Sequence, residues 1–329
     1  MKNSKDNSSK LRQELLNLIS CKLSKETPNV SFSKPNYDIE EKVAEAIKLW
    51  PHLNNLRVAD SAEYKIQDVL IDNEISGRLR IPEKHNGMAV LCLHGHARGM
   101  MLGKEMTEYC TVPLAQQNFI TLSVDLIGFG NRRNRDFDDI EIKIGGQTLF
   151  QQEKINFARL LTQGKTLVGN QIEELSTCVS FLKSLDGIKN VAVMGHSMGG
   201  IFAFWLGALD QRIDCTICLA GMINYEAFAN SDNSRYHDCY CLVPGIAELV
   251  DSGDILSLIA PRGFYGIHGR HDRGFPIDRV IANSNKTREV YKQMGAEKMF
   301  RSEIIDCDHG DMLSEKYLCE IFNFLKIFR

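Results

Sequence analysis

The residues best suited to do chemistry stand in Gly195-His196-Ser197-Met198-Gly199. A serine hydroxyl is a poor nucleophile until a neighbouring base takes its proton and a third group orients that base. Upstream, the apolar run Val191 to Met194 reads as a buried strand; downstream, Ile201 to Leu209 reads as a helix packed on the sheet. A G-x-S-x-G sequence between strand and helix is a sharp turn that strains its central residue. Glycines two before and two after let the chains pass closely. Such a turn lifts the Ser197 hydroxyl toward solvent. It also sets that residue at a helix start, where free N–H groups favour developing negative charge. Ser197 is the expected nucleophile.

Its partners should follow at later strand ends, in the order nucleophile, acid, histidine. The strand Gly263 to His268 runs into Gly269-Arg270-His271-Asp272, and the strand ending at Ile305 runs into Asp306-Cys307-Asp308-His309-Gly310. Asp272 and His309 are therefore the expected acid and base, with Asp306 or Asp308 as substitute acids. An oxyanion needs two preorganised N–H donors. The backbone of Met198 should supply one. The loop His94-Gly95-His96-Ala97-Arg98-Gly99 should supply the other, through His96 or, in reserve, Ala97. His94 and His96 lie two apart on a loop without a nearby carboxylate pair, which argues against metal ligation. Arg98 and Arg132 are further candidates for substrate contact. For Arg132 the competing reading is a solvated charge run with Arg133 and Arg135, balanced by Asp136, Asp138 and Asp139. Gly164-Lys165-Thr166 matches the tail of a Walker A loop. Arg159 replaces its first glycine and no buried strand precedes it, so a nucleotide site is rejected.

Several elements must position these groups. Strands are expected at Tyr64 to Ile71 and Ile75 to Ile81, joined by the turn-prone Asp72-Asn73. Further strands are expected at Met88 to Leu93, Phe119 to Val124, Val191 to Met194, Ile213 to Ala220, Gly263 to His268 and Met299 to Ile305. Helices are expected at Lys104 to Gln117, Thr166 to Leu185, Ile277 to Met294 and Ser314 to Phe328. This alternation means a mostly parallel α/β sheet with helices on both faces and sites at the strand carboxyl ends. Leu11 to Leu23 and Ile39 to Trp50 have helical spacing and form an N-terminal extension (1–60) to a catalytic domain (61–329), with residues 1 to about 10 polar and frayed. The stretch 222–261 breaks the alternation and is read as a cap, with Tyr225, Phe228 and Tyr240 as substrate-contacting residues.

The 329 residues are 43% hydrophobic and 25% charged, with a net charge of −3, which offers nothing to attract a polyanion such as nucleic acid. The ten cysteines are scattered. Cys215 and Cys218 fall in one strand with their side chains on opposite faces, and Cys239 and Cys241 are too close for an easy bridge. With a polar N-terminus, this suggests a reducing cytoplasm. No apolar run is long enough to span a membrane.

Together these residues resemble the α/β-hydrolase superfamily and, within it, the dienelactone-hydrolase-like esterases, over about residues 61 to 329. The motifs are His94-Gly95-His96, Asp125-x-x-Gly128-x-Gly130-x-Arg132, Gly195-x-Ser197-x-Gly199-Gly200, Ala208-Leu209-Asp210-x-Arg212-Ile213, Pro244-Gly245, Ile259-Ala260-Pro261-Arg262, Gly269-Arg270-His271-Asp272 with Phe275-Pro276, and Asp308-His309-Gly310. The resemblance implies an α/β-hydrolase fold with an eight-stranded sheet, no cofactor, and hydrolysis through an acyl-enzyme. The best-known dienelactone hydrolases carry a cysteine nucleophile where this chain has Ser197, which favours ordinary ester chemistry. A small-molecule carboxylic ester is the expected substrate. Thioester cleavage, acyl transfer and carbon–carbon bond hydrolysis run on the same triad, and a homodimer is left open. An inactive hydrolase fold used for binding is the rival from another class, and the intact set of Ser197, Asp272 and His309 argues against it.

Overall fold

The computed structural model describes residues 2–35, 64–96, 102–133, 143–144, 147–148, 151–310, 312 and 314–328. Nine strands form one sheet: β1 (Val30–Ser33), β2 (Tyr64–Ile71), β3 (Ile75–Pro82), β4 (Met88–Leu93), β5 (Ile120–Val124), β8 (Asn190–His196), β9 (Cys215–Leu219), β10 (Gly263–Gly269) and β11 (Phe300–Ile305). Two short strands, β6 (Lys143–Ile144) and β7 (Gln147–Thr148), pair apart from it. The order is β1-β2-β3-β5-β4-β8-β9-β10-β11, antiparallel from β1 to β5 and parallel from β5 to β11. All eight expected strands are present. The ninth, β1, was not expected: a four-residue edge strand, mostly exposed, carries too little apolar alternation to be seen.

Every residue of β4, β5, β9 and β10 is buried. Successive side chains of a strand point to opposite faces, so both faces of the sheet's centre are covered, as continuous apolar strands require. Ten helices are described. These are α1 (Lys2–Leu18), α2 (Glu108–Gln116), α3 (Gln151–Thr162), α4 (Leu167–Ser184), α5 (Met198–Leu209), α6 (Tyr225–Asn230), α7 (Ile246–Leu249), α8 (Ser252–Ser257), α9 (Ile277–Gln293) and α10 (Glu315–Leu325). Helix α5 is buried along its whole length, which its unbroken apolar sequence anticipates. The turn between β2 and β3 places Asp72 and Asn73 at φ 49° and 58°, the left-handed pair that a tight hairpin needs.

Charged side chains inside the fold come as oppositely charged sets. Arg78 and Arg80 lie on β3, fully buried; Arg78 pairs with Asp68 at 2.8 Å, and both arginines reach Glu108 at the start of α2. Removing one member of such a set would leave a buried charge uncompensated, at about 3–5 kcal/mol. Arg12 of α1 donates to the carbonyls of Ala208 and Leu258, and Leu15 and Ile19 are fully buried, so α1 is docked on the domain. That helix begins at Lys2 rather than near Leu11. The second expected N-terminal helix, Ile39 to Trp50, lies outside the described residues. Helix α3 was missed because its buried face carries Glu153 and Asn156 beside Leu160, so no apolar stripe marks it. All ten cysteines are free thiols, and nine are buried or half-buried.

His268 on β10 is buried, and neither ring nitrogen has a hydrogen-bond partner among the described residues. Burial pushes its pKa from 6.5 down to about 4. Below pH 6.5 the unfolded chain takes up a proton that the folded chain refuses until about pH 4, so stability is lost as pH falls through that window. The full effect is ~3 kcal/mol. Chemical denaturation of wild type and His268→Leu at pH 7 and pH 4.5 should show the variant losing markedly less stability on acidification; equal losses would assign the acid sensitivity elsewhere.

Candidate active site

Five loops meet at the carboxyl ends of parallel strands, the place where open α/β sheets build sites. Ser197 follows β8 at φ 57°, ψ −121°, a conformation a side chain adopts only when its surroundings impose it, at about 1–3 kcal/mol. The glycines explain how. A Cβ on Gly199 would stand 2.6 Å from the carbonyl oxygen of His94, and one on Gly195 would collide with the backbone of Gly199. The turn is thus pressed against the end of β4. The Ser197 amide donates to Leu219 O at 2.8 Å, tying the turn to β9 as well.

His309, beyond β11, places Nε2 2.8 Å from Ser197 Oγ and Nδ1 2.6 Å from Asp272 Oδ2. Asp272, beyond β10, is buried, and its second oxygen accepts the Gly274 amide at 2.9 Å. These partners set the tautomer: Nδ1–H donates to the carboxylate, leaving Nε2 to accept from the serine hydroxyl. The His309 carbonyl accepts from His196 Nε2 at 2.9 Å, and the Phe275 ring lies parallel to the imidazole, 4° between planes and 5.8 Å between centroids. The substitute acids do not take this position. Asp306 pairs with the exposed His271 at 2.8 Å, and Asp308 lines the cleft while both His309 ring nitrogens are bonded elsewhere, to Asp272 and Ser197.

On the opposite side, Gly95 packs against Ser197: a Cβ on this glycine would be 3.4 Å from Ser197 Cβ. The loop after β4 therefore reaches the serine, as the expected His96 donor requires. Met198 opens α5, so its N–H lies in the first turn, where no intrahelical acceptor exists. Ala97, the reserve donor, and Arg98 lie outside the described residues. His94 is buried with both nitrogens used: Nδ1–H donates to Gly95 O at 2.8 Å, and Nε2 accepts the Leu126 amide at 3.1 Å. Burial pushes its pKa down and keeps it neutral. It is a brace, with no nitrogen left for a metal. His96 Nε2 instead meets Glu153 Oε2 at 2.7 Å. Among the described residues, His96, Glu153 and Asp238 each bring a ligating atom within 4.8 Å of the others, the one such grouping found.

The Ser197 cleft has a volume of about 410 Å³ and is bounded by Tyr236, His237, Tyr240, Arg273, Gly274 and Phe275 besides the three central residues. Of the cap residues expected at the substrate, only Tyr240 lines it. Tyr225 is buried, its hydroxyl accepting from Trp205 Nε1 at 2.8 Å, and with Phe228 it borders a separate hollow of about 450 Å³ within the cap. Aromatic type alone could not distinguish a core tyrosine from a cleft one. Arg132 is not at the cleft either. It is held by both oxygens of Glu174, at 2.7 and 2.9 Å, and donates to Asp125 O. The Asp125 motif is likewise a brace: its carboxylate holds the amide and ammonium of the buried Lys104 at 2.7 and 2.8 Å. His237, which the sequence did not single out, donates from Nε2 to Gly274 O at 2.8 Å and accepts at Nδ1 from the Tyr240 hydroxyl at 3.0 Å. Burial pushes its pKa down.

This arrangement can draw a proton from Ser197 and hold the resulting imidazolium against a buried carboxylate. With that geometry in hand, similarity to known proteins is informative. Residues 90–297 match the sequence profile of the alpha/beta hydrolase family. The chain belongs to that family. YtaP, a candidate hydrolase of Bacillus subtilis (strain 168), is 27% identical over 268 residues, which cover 76% of this chain and 84% of YtaP. Among solved structures, a candidate acetyl xylan esterase of Bacteroides fragilis NCTC 9343 superposes with a TM-score of 0.65 at 14% identity, covering 93% of this chain and 76% of that one. A glucuronoyl esterase of Solibacter usitatus gives 0.59 at 15% identity, with 96% and 91% covered. At such identities the two structures establish a shared alpha/beta hydrolase fold.

The orientation of His309 by Asp272 can be checked through the reactivity of the serine. Asp272→Asn would present an amide N–H to Nδ1, reversing the tautomer and turning Nε2–H toward Ser197. Phosphonylation of Ser197 by a fluorophosphonate should then slow by roughly 10⁴-fold. Asp306→Asn and Asp308→Asn should slow it by less than about tenfold, since neither carboxylate is bonded to the ring; the opposite ranking would move the acid to the His309 loop.

Proposed function

We propose that this protein is a serine hydrolase that cleaves carboxylic esters of small molecules through an acyl-enzyme. The observation that carries the reading is the unbroken line Asp272–His309–Ser197, with the serine at the edge of a cleft and the loop after β4 packed against it. His309 Nε2 removes the hydroxyl proton as Ser197 Oγ attacks the ester carbonyl. The oxyanion faces the amides of Met198 and His96, whose value is a few kcal/mol of transition-state stabilisation each. His309 then returns the proton to the leaving alcohol, and the acyl group stays on Ser197. Water enters, gives its proton to His309, attacks the acyl carbon, and the acid leaves as Ser197 recovers its proton. The carboxylate of Asp272 stays ionised throughout, stabilising the imidazolium.

Ester chemistry agrees with the names borne by the acetyl xylan and glucuronoyl esterases that share the fold. The dienelactone-hydrolase-like placement rests on the motifs alone, and Ser197 in the cysteine position favours a simple ester over a dienelactone. Ten free cysteines support a reducing compartment such as the cytoplasm. The cleft is only about 410 Å³ in volume, with Tyr236, Tyr240 and Phe275 among its walls, which favours a short acyl group over a long alkyl chain.

A series of p-nitrophenyl esters from acetyl to octanoyl, run beside acyl-CoA thioesters, tests this. The expected result is highest kcat/KM on the shortest esters, with Ser197→Ala reducing turnover by roughly 10⁴-fold or more while leaving the fold unchanged. Turnover of thioesters alone would replace the ester reading, and undiminished turnover by Ser197→Ala would remove the nucleophile from it.

A further inference from the structure

A carboxylate that takes no part in the steps above joins the two sides of the cleft. Glu153 lies in the first turn of α3 and is 2% exposed. Its Oε2 accepts from His96 Nε2 at 2.7 Å, and its Oε1 accepts the backbone amide of Tyr240 at 2.8 Å. One side chain thus bonds the loop that carries the second oxyanion donor and the segment of the cap that lines the cleft. From Tyr240 the contacts continue. Its hydroxyl donates to His237 Nδ1 at 3.0 Å, His237 Nε2–H donates to Gly274 O at 2.8 Å, and the Gly274 amide donates to Asp272 Oδ1 at 2.9 Å. His96 also lies ring against ring with Tyr240, 5.3 Å between centroids. Among the described residues, this line of contacts runs around the cleft from His96 to Asp272 through Glu153, and Asp238 brings a second carboxylate within 4.8 Å of His96 and Glu153.

We propose that Glu153 is a positioning residue of this active site, holding the His96 loop and the Tyr240 segment in one arrangement so that the oxyanion donor is aimed at the reacting carbonyl. This rests on the serine-hydrolase reading given above. The physical reason is that a loop amide contributes to the transition state only when it is fixed beforehand. Gly95 in the loop after β4 has no side chain with which to anchor itself, and the His96–Glu153 bond ties this loop to α3 in addition to the His94–Gly95 bond. Hydrogen bonds to an ionised, buried acceptor are the stronger kind, and here both carboxylate oxygens are used. Because the same carboxylate seats Tyr240, loop and cap wall are set together.

The test is steady-state kinetics on p-nitrophenyl acetate with wild type, Glu153→Ala, Glu153→Gln, His96→Ala and the Glu153→Ala/His96→Ala double variant, each with its thermal midpoint recorded. Glu153→Ala should lower kcat by roughly 10- to 100-fold, short of the loss of a whole oxyanion donor, with KM within about twofold. Glu153→Gln keeps an acceptor for Tyr240 and should recover part of that loss, ending about 3- to 10-fold below wild type at a similar thermal midpoint. If Glu153 acts through His96, the double variant should be no worse than about twofold below the poorer single variant. Should Glu153→Ala fail to fold, Glu153→Gln decides: wild-type kcat in that variant overturns the inference. So does a fall that appears only in KM, additive losses in the double variant, or a wild-type rate abolished by EDTA and restored by Zn²⁺, which would make the carboxylate a metal ligand. A wild-type protein with no ester turnover would instead remove the hydrolase reading itself.

Discussion

The turn at Ser197 is the constraint around which the rest of the molecule is arranged. A side chain at φ 57°, ψ −121° is held only by neighbours that leave it no alternative. Here three strands supply them. β8 delivers the turn, the carbonyl end of β4 lies against Gly199, and β9 accepts the Ser197 amide through Leu219. The glycines at 195 and 199 are demanded by backbone atoms, and backbone cannot retreat as a flexible side chain can. The central sheet must therefore be parallel and tightly packed before the hydroxyl can be presented at all. The uniform burial of β4, β9 and α5 is the other side of the same requirement.

Ionised groups divide into two kinds in this fold. Those at the sheet's antiparallel edge and behind the β5 loop are braces: Arg78 and Arg80 on Glu108, Lys104 on Asp125, Arg132 on Glu174. Each is buried or half-buried and matched by an opposite charge, so none offers a free charge to a ligand. The cleft differs. His309 presents its Nε2 to the Ser197 hydroxyl, the nucleophile of the proposed reaction, and its Nδ1 is bonded to a carboxylate buried behind it. The electrostatic asymmetry across the imidazole, anion on one side and nucleophile on the other, is what lets the ring accept a proton and pass it on.

Much of this was legible in the residues themselves. Strand–helix alternation from Met88 onward carries the parallel sheet, and Ser197, Asp272 and His309 each follow their own strand, so their convergence follows from topology. What was not legible has a physical pattern. Arg132 reads in sequence as either a substrate ligand or part of a solvated charge run, because an arginine near strand ends carries no mark of its partner; Glu174, 42 positions away, decides the matter. Tyr225 and Tyr240 are the same residue type in the same cap, yet one is bonded to Trp205 in the core and the other borders the cleft. Helix α3 escaped notice because the residues on its inner face are partly polar. The same polarity is what brings Glu153 to His96, so the missing apolar stripe and the buried carboxylate have one cause.

The central claim is that the geometry around Ser197 supports covalent catalysis by that hydroxyl. The most direct measurement is peptide mass spectrometry on protein mixed with p-nitrophenyl acetate and quenched in acid within the first turnovers. The account predicts an acetyl adduct on the peptide carrying Ser197, absent from Ser197→Ala, and decaying in step with steady-state turnover of the ester. Turnover of the ester with no adduct on Ser197 at any time, or with an adduct on another residue that accounts for the full rate, would contradict it.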